Sequence, residues 1–329
     1  MRRHISPAQA RDSLRTRDEL SDRGWRQRDI EHAVSTGRIR RLQVNRYVEE
    51  SLWRELWPES RHLLEVVAAH AEMRNGNAVA SHESAGVLFG LPLYRHIPAS
   101  VHLTLPTGGR GPSRAGLVRH RDALREDDIT MCSGIRCTTL ERTTFDVVRA
   151  VGRETAVAFA DAALRSVALR GEAYDIAAAE EWRERMLERL ARAAGARGVR
   201  RAREVIRFAD GRAQLPGESV SRLQLARLGF ARFGLQVPVP GPKGKEYRVD
   251  LEIEEIGTFL EFDGKGKYLD EAMRSGRTLE AVLLDEKQRE DWIRGATQRR
   301  LVRAEDSHIT TPEALAARLA GFGIRLPRR

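Results

Sequence analysis

The spacing of apolar residues in the first fifty positions changes from helical to strand-like at Gly37. Ile30, Ala33 and Val34 recur at helical spacing, and Gly24 separates this helix from a shorter one before it. After Gly37, apolar and basic residues alternate around an Asn-Arg pair, which is typical of two strands joined by a turn. The pattern predicts a helix-turn-helix followed by a two-stranded wing.

The middle of the chain, residues 51–212, has the pattern of mixed helices and strands. Helical spacing is found at 53–73, 81–92, 142–170 and 180–209. Two strands are predicted around a glycine-rich turn, at 101–106 and 116–120. This turn lacks the Gly-Lys-Ser/Thr ending of a phosphate-binding loop, so we expect the region to be structural.

The C-terminal part, residues 213–329, predicts the order helix, strand, two-strand hairpin, helix, strand, helix. The elements are a helix from 218 to 228, strands at 235–239, 247–253 and 258–264, a helix at 285–294, a strand at 300–304 and a helix from 311 or 312. A two-residue loop centred on Glu255 and Ile256 would pair residue 254 with residue 257. That register sets Asp250 directly opposite Glu261.

Facing carboxylates in this hairpin indicate a bound cation. Opposite positions bring two Cβ atoms to about 5 Å, and like charges at that distance destabilise a sheet. A divalent cation between Asp250 and Glu261 would offset the repulsion, because Mg²⁺ binds one or two carboxylates together with water and phosphate oxygens. The two-residue period of a strand adds Asp263 to the face of Glu261. Both strands are otherwise apolar, and the alternative is that Asp250 and Glu261 are merely exposed strand residues.

Composition and charge indicate a folded protein with a polyanionic partner. The chain has 329 residues, of which 41% are hydrophobic and 32% charged, and its net charge is +10. Single cores stop growing near roughly 250 residues, so two or three domains are expected. The positive charge favours nucleic acid as the partner. Neither a secretory signal nor an apolar run of about 20 residues is found, which predicts a cytoplasmic protein without a membrane partner.

Lysine is rare in this chain and is confined to one region. Of the 57 basic residues five are lysines, and all fall in the C-terminal third, at Lys243, Lys245, Lys265, Lys267 and Lys287. This clustering in an arginine-dominated chain indicates a chemical requirement for lysine near the acidic hairpin.

Cysteine and histidine predict no metal site. Cys132 and Cys137 have no partners at metal-ligand spacing and are expected to be ordinary reduced residues. The spacing of His82, His102 and His120 matches no ligand pattern, so we expect core or surface histidines. Zinc is therefore not predicted.

Residues 37–48 carry a resemblance to a known DNA-associated family. The Gly-Arg-Ile-Arg-Arg and Arg-Tyr-Val segments resemble the winged-helix N-terminal domain of the AbiE-type (abortive infection) antitoxins. A winged helix places a helix in the major groove and its wing on the backbone. The predicted DNA-binding residues are Arg26, Arg28, Arg38, Arg40, Arg41 and Arg46, with Lys265 and Lys267 in the C-terminal part. The alternative is that the wing arginines form the solvated face of a structural hairpin.

The C-terminal part resembles the PD-(D/E)xK nuclease superfamily, and more closely the Vsr-like (very short patch repair endonuclease-like) domains found behind antitoxin-like N-termini in actinobacteria. The resemblance covers about residues 215–310. It rests on Glu218, on Asp250 after Arg-Val, on Leu-Glu-Phe-Asp-Gly-Lys at 260–265 and on Glu-Lys-Gln-Arg-Glu-Asp at 286–291. It implies a restriction-endonuclease-like core, a Mg²⁺ or Mn²⁺ cofactor held by Asp250 and Glu261, and an assisting role for Glu218. Glu218 could alternatively be an acid that stabilises the helix dipole.

One departure from the nuclease pattern concerns the motif lysine. The superfamily has a lysine two residues after Glu261, where this chain has Asp263. Such a lysine orients or deprotonates the attacking water and stabilises developing charge. We expect Lys287 to supply this role from the helix above the sheet, with Lys265 and Lys267 as alternatives; a salt-bridging surface lysine is the other interpretation of Lys287.

These patterns together predict an α/β multidomain protein with a winged helix at 1–50, a mixed middle region at 51–212 and a nuclease-like domain at 213–329. The predicted function is Mg²⁺-dependent hydrolysis of DNA, with catalytic residues Glu218, Asp250, Glu261, Asp263 and Lys287. The competing hypothesis is a non-enzymatic DNA-binding antitoxin or repressor with a degenerate core, favoured by Asp263. Its further partner would be a neighbouring toxin.

Overall fold

Residues 2–72, 78–105, 115–264 and 278–327 are described by the structure, which is a computed structural model. The chain forms two units, and each is built from two separate stretches of sequence. The first unit combines Met1–Phe159 with Glu184–Ile206, and the second combines Ala160–Arg183 with Arg207–Arg329. Lys265 and Lys267, two of the predicted DNA-binding residues, lie outside the described residues.

The first unit begins with the predicted winged helix. Its elements are α1 (Pro7–Ser13), α2 (Arg17–Asp22), α3 (Gln27–Ser35), β1 (Ile39–Gln43) and β2 (Arg46–Glu49). β1 and β2 pair antiparallel, and Asn45 at their turn has φ +58°, which asparagine tolerates better than most residues. Ile30 and Ala33 on the inner face of α3 pack with Leu20 and Tyr47 in a small core. The change from helix to strand at Gly37 is confirmed.

The middle of the first unit surrounds a five-stranded sheet. Its elements are α4 (Glu50–Glu55), α5 (Pro58–Ala71), β3 (Val79–Ala80), α6 (His82–Leu88), β4 (Val101–Thr104), β5 (Leu117–His120), β6 (Ile129–Cys132), β7 (Ile135–Thr138) and α7 (Leu140–Ala150). The strand order is β5-β4-β3-β7-β6, with β4 and β5 parallel. The prediction of one continuous helix at 53–73 is wrong, because α4 ends at Glu55 and α5 begins at Pro58. Proline has no backbone N–H and fits the first turn of a helix, so Pro58 begins α5 after a break.

The helices predicted at 142–170 and at 180–209 are each divided into two helices. The helices are α7, α8 (Arg153–Ala168), α9 (Ile176–Arg192) and α10 (Val199–Phe208), and a short hairpin of β8 (Leu169–Arg170) and β9 (Ala173–Tyr174) lies between α8 and α9. Gly195 and Gly198, both with positive φ, separate α9 from α10. A Cβ on Gly198 would come within 2.3 Å of the carbonyl oxygen of Arg149, so this position requires glycine.

The second unit contains a four-stranded mixed sheet. Its elements are α11 (Pro216–Arg227), β10 (Phe233–Pro240), β11 (Glu246–Ile253), β12 (Thr258–Phe262), α12 (Leu279–Thr297), β13 (Arg300–Ala304) and α13 (Pro312–Ala320). The strand order is β10-β11-β12-β13; the first three strands are antiparallel, and β13 runs parallel to β12. The predicted order of helices and strands and the α/β class are confirmed.

The central strand of this sheet, β12, is buried along its whole length. Phe262 meets Gly217 of α11, while Phe259 packs with Ile293 of α12. Because successive strand residues alternate between faces, these contacts place α11 and α12 on opposite sides of the sheet. Burial on both faces explains why three of the five residues of β12, Phe259, Leu260 and Phe262, are large and apolar.

A buried ion pair joins the two stretches of sequence in the second unit. Asp161 is 1% exposed and accepts hydrogen bonds from the guanidinium of Arg222 at 2.9 and 3.1 Å. The backbone N–H of Asp210 donates to the same carboxylate at 2.8 Å. Burial raises the pKa of Asp161, against the lowering effect of Arg222.

Over the described ranges, no helix combines the length and the apolar character that crossing a bilayer requires.

Candidate functional site

The winged helix has the connections that would hold a recognition helix and a wing together. The backbones of Arg15 and Tyr47 exchange two hydrogen bonds of 2.9 Å, which attach the segment between α1 and α2 to the wing. The outer face of α3 carries Gln27, Arg28, Glu31 and His32, all of them exposed.

The six arginines predicted to bind DNA fall into two groups. Arg40 makes a two-pronged contact with Glu50 at 2.9 and 3.0 Å, and Arg46 lies 3.5 Å from Glu72 with 17% of its side chain exposed. These two guanidiniums are engaged in structural ion pairs. The other four, Arg26, Arg28, Arg38 and Arg41, are exposed, and the guanidinium of Arg38 lies 4.3 Å from the centre of the Trp25 ring.

In the second unit, the turn between β11 and β12 establishes the register predicted for the acidic hairpin. Glu254–Ile256 forms a single 3-10 turn that ends at Gly257, with φ +54°. The observed pairs, from Ile253↔Thr258 to Leu251↔Leu260, have the predicted register and end one residue before Asp250 and Glu261. The Asp250 carboxylate accepts the backbone N–H of Phe262 at 3.0 Å. The register prediction is confirmed.

Glu218 lies in the first turn of α11 and is held by polar contacts. It is 3% exposed, and its Oε2 accepts the backbone N–H of Gln214 at 2.8 Å and the side-chain amide of Gln236 at 3.2 Å. Gln236 interrupts β10 with φ +51°, between positions paired with Val249 and Leu251 of β11. Glu218 is thereby fixed by the strand that neighbours Asp250.

The start of α11 sits directly on the end of β12. A Cβ on Gly217 would lie 2.2 to 2.4 Å from the ring of Phe262, so the absent side chain permits this close approach. Phe262 immediately follows Glu261 in β12. The Pro-Gly that begins α11 therefore positions Glu218 near the hairpin.

Two arginines neutralise the acidic residues of the sheet. Arg289 of α12 donates to Glu261 at 2.6 Å and to Glu286 at 3.1 Å. Arg303 of β13 lies 3.4 Å from Asp263, 2.8 Å from Glu286 and 3.9 Å from the second oxygen of Glu261. We call Glu261, Asp263, Glu286, Arg289 and Arg303 the carboxylate–arginine cluster. Cations on the protein itself thus offset the repulsion between the strand acids.

Arg289 is a permanent cation in this setting. Burial alone would lower its pKa, but the hydrogen bond and charge of Glu261, with the charges of Glu286 and Asp250, raise the pKa above its ordinary value. A protonated guanidinium donates hydrogen bonds and cannot accept a proton. Arg289 is therefore suited to stabilising negative charge and unsuited to acting as a base.

The predicted orientation of α12 is wrong. Lys287 and Asp291 lie on its exposed side, whereas Glu286, Arg289 and Ile293 face the sheet. The buried positions Val282 and Ile293, with 286 and 289 between them, follow helical spacing and define the inner stripe. Lys287 therefore does not reach Glu261, and the residue of α12 that does is Arg289.

Asp263 occupies the position of the motif lysine and has a structural partner there. Its backbone N–H donates to the carbonyl of Ala304 at 2.8 Å, which continues the β12–β13 pairing by one residue. Its carboxylate is 3.4 Å from Arg303. An acid at this position is compatible with the cluster because Arg303 compensates its charge.

The donor set around the hairpin fits Mg²⁺ by its chemistry. Asp250 and Glu261 offer carboxylate oxygens from neighbouring strands, which are the ligands that Mg²⁺ prefers. Arg289 is the cation with which a metal ion would compete, since it contacts Glu261 and its pKa responds to Asp250. Sequence patterns did not identify Arg289, Arg303 or Gln236; the stripe from Val282 to Ile293 was the available signal for Arg289.

Comparison with known proteins gives relatives without a described activity. No family model matches the chain. The chain is 30% identical over 201 residues to two proteins described as uncharacterized, MT2308 and Rv2248, from two strains of Mycobacterium tuberculosis. The similarity covers 61% of this chain and 68% of each relative.

Proposed function

This chain belongs to one family with the mycobacterial proteins MT2308 and Rv2248, and we propose that it is a cytoplasmic DNA-binding protein with a Mg²⁺-dependent nuclease-type site in its second unit. The observation that carries the proposal is the position of Asp250 and Glu261 one residue beyond the Leu251↔Leu260 pair of adjacent strands, with the Arg289 guanidinium hydrogen-bonded to Glu261. Glu218 lies at the start of α11 and is linked through Gln236 to β10, the strand next to β11.

The proposed chemistry is hydrolysis of a DNA phosphodiester bond. Mg²⁺ bound by Asp250 and Glu261 would supply positive charge to a phosphate oxygen and lower the pKa of a coordinated water. Arg289 stays protonated, and its role is to stabilise the negative charge that develops on the phosphoryl oxygens. Glu218 holds Gln236 against the sheet and keeps the strand next to Asp250 in place.

The proposed DNA contact is made by the exposed arginines of the winged helix. The side chain of Arg28 on α3 is 75% exposed, and its nearest acid, Asp29, is 4.0 Å away. This ion pair is weak, so Arg28 can exchange it for a contact with a phosphate. Arg41 projects from β1 into solvent. Contacts of this type fix position on the duplex and weaken with salt, because they release counterions.

A second candidate, a DNA-binding repressor or antitoxin with an inactive core, is favoured by one specific observation. Arg289 and Arg303 already neutralise Glu261 and Asp263, and an acid stands where the motif has a lysine. In this case the carboxylate–arginine cluster would stabilise the fold, and a neighbouring toxin would be the further partner.

Cleavage assays separate the two candidates. Full-length protein with Mg²⁺ or Mn²⁺ is expected to nick or cut DNA, and Asp250→Asn to abolish cutting while DNA binding in chelator persists. Glu246→Gln is the matched control, because Glu246 is an exposed acid on the same strand, paired with Arg248. No cleavage of double-stranded, single-stranded or mismatched DNA with either metal, alongside retained binding, would leave the repressor candidate.

Salt titration of DNA binding tests the winged helix independently of cleavage. Neutralising Arg28 and Arg41 to Gln should reduce the slope of log K against log salt by roughly 0.9 for each lost phosphate contact. Arg125→Gln is the control, since this exposed arginine lies in the first unit outside the winged helix. An unchanged slope in the Arg28/Arg41 variant would exclude this surface as the DNA contact.

A further inference from the structure

Three histidines of the first unit converge, although their sequence spacing predicted no site. One ring nitrogen from each of His82, His102 and His120 lies within 4.8 Å of the other two. Nδ1 of His102 is 2.9 Å from Nε2 of His120, and the rings of His82 and His120 stack with centroids 3.9 Å apart. Within the residues that the structure describes, these three histidines are the one group of three or more His, Cys, Asp or Glu side chains close enough together to hold a metal ion.

Strand pairing explains how these residues meet. β4 and β5 are parallel neighbours, with His102 opposite Val118 and Thr104 opposite His120. His102 and His120 are therefore on the same face, offset by two residues. The sequence gives no indication of the parallel pairing of β4 and β5, which brings together histidines that were expected to be core or surface residues.

His82 reaches the pair from α6 through an uncommon backbone conformation. Its φ of +52° lies in the left-handed region, which residues with a Cβ seldom adopt and which is found more often at functional sites. Its neighbour Ser81 has no capping contact with α6; the Ser81 hydroxyl instead accepts from Thr104 at 2.9 Å, on the strand that carries His102. The hydrogen bond between Ser81 and Thr104 therefore holds the start of α6 against β4, so that His82 lies next to His102 and His120.

A buried acid stands next to the histidines. Glu83 is 5% exposed, its Oε1 is 3.2 Å from Nε2 of His96, and its Oε2 is 3.9 Å from Nδ1 of His102. Among the described residues Oε2 has no hydrogen-bond partner. A buried negative charge at this point is the compensation that a bound cation needs.

The distances fit a transition metal with nitrogen ligands. Zn–N bonds of about 2.0 to 2.1 Å in a tetrahedral site place the nitrogens about 3.3 Å apart. The separations here, 2.9 Å for one pair and at most 4.8 Å overall, bracket that value, so side-chain adjustments suffice.

The cluster has access to solvent through a cleft. His82 lines a cavity of about 590 Å³ together with Asp122, Asp146, Arg149, Ala150, Arg197, Gly198 and Arg201. All of these residues belong to the first unit. His82 is the histidine of the cluster that lines this cavity, and a site with three protein ligands retains a coordination position for water or an exogenous ligand.

We propose that His82, His102 and His120 bind one divalent transition metal ion of the zinc type, with Glu83 supplying the neighbouring negative charge. The site is distinct from the carboxylate–arginine cluster in both location and ligand chemistry. Imidazole nitrogens favour zinc and related metals, whereas Mg²⁺ prefers oxygen ligands.

Metal titration of the full-length, tag-free protein tests this proposal. Calorimetry with Zn²⁺ should give one equivalent bound per chain, and Co²⁺ should give the visible absorption of a low-coordinate nitrogen site. An excess of Mg²⁺ should not displace either ion. The variant His102→Ala/His120→Ala should lose both signals, whereas His32→Ala, which removes an exposed histidine of the same unit, should retain them.

Two further variants keep the test decisive if the double alanine variant does not fold. His120→Gln retains a polar side chain and should still lose stoichiometric Zn²⁺ binding. Glu83→Gln should weaken binding by roughly 10- to 100-fold, the usual effect of removing a group next to the ligands. Asp250→Asn should leave Zn²⁺ binding unchanged. Equal Zn²⁺ affinity in wild type and His120→Gln, or no stoichiometric binding by the wild type, would overturn the proposal.

Discussion

Replacing Arg289 by methionine tests whether the acidic hairpin is a cation site. The substitution removes the guanidinium from Glu261, which is 5% exposed, while keeping an unbranched side chain in place. Breaking a buried ion pair by removing one partner costs about 3 to 5 kcal/mol. Arg303, 3.9 Å from the other oxygen of Glu261, remains as partial compensation, so the lower end, about 3 kcal/mol, is expected.

Mg²⁺ should reverse much of this loss if the carboxylates bind metal. With the competing guanidinium gone, Mg²⁺ at 100 times its Kd would stabilise the variant by about 2.7 kcal/mol through mass action. The wild type should gain less from the same concentration, because a metal ion must displace Arg289 from Glu261. The sign of this difference follows from competition between two cations for the same oxygens.

Thermal melts at fixed ionic strength measure both effects. A loss of about 3 kcal/mol corresponds to a fall in Tm of roughly 6 to 12 °C for a unit of this size. Arg294→Met is the control on the same helix: Arg294 is 47% exposed and pairs with Glu290, so its loss should cost less than about 1 kcal/mol. If Mg²⁺ leaves the melting temperature of Arg289→Met unchanged, the carboxylates do not bind the metal and the nuclease proposal loses its support.

Two further predictions concern pH and packing. Burial raises the pKa of Asp146 to about 6 despite Arg142, so the folded state holds a proton that the unfolded state has released; stability from this group is lost as pH rises from about 4 to 6. Urea denaturation of wild type and Asp146→Asn from pH 4 to 7 measures this effect. As the pH rises over this range, the free energy of unfolding of Asp146→Asn should increase by roughly 2 to 3 kcal/mol relative to that of wild type; parallel curves would contradict this. Gly217→Ala should cost about 1 to 3 kcal/mol, because its Cβ would overlap the Phe262 ring, whereas Gly295→Ala, in open space on α12, should stabilise by about 0.4 to 1 kcal/mol; equal effects would refute the packing argument.

Local patterns predicted the elements and the hairpin register with good agreement. The Glu254–Ile256 turn and the two-residue period of β11 and β12 are both local, and a one-residue slip would turn Leu260 away from its apolar neighbours. The register that pairs Leu251 with Leu260 was therefore readable from the sequence. Equally local signals gave the winged helix and the bounds of β13.

The composition of the candidate site depended on contacts that sequence separation conceals. Arg289 and Glu261 are 28 positions apart, and the choice of Arg289 over Lys287 rests on a rotation of α12 that Val282 and Ile293 determine jointly. The confinement of lysine to the C-terminal third indicated Lys287, whereas the apolar stripe that contains Val282 and Ile293 indicates Arg289. The histidine cluster was missed for a similar reason, since it depends on the parallel pairing of two short strands.

The exchange of segments between the two units has a consequence for synthesis on the ribosome. Asp161 emerges well before Arg222, yet both are buried and each is the other's charge partner. Until the downstream segment has left the exit tunnel, α8 carries an acid without its guanidinium, and the stretch 160–183 has to wait as the chain lengthens. N-terminal domains usually complete folding first during translation. Here the second unit can close only when translation is nearly finished, so a nascent chain stalled after α10 should be protease-sensitive at 160–183 and become protected once the remaining residues are added.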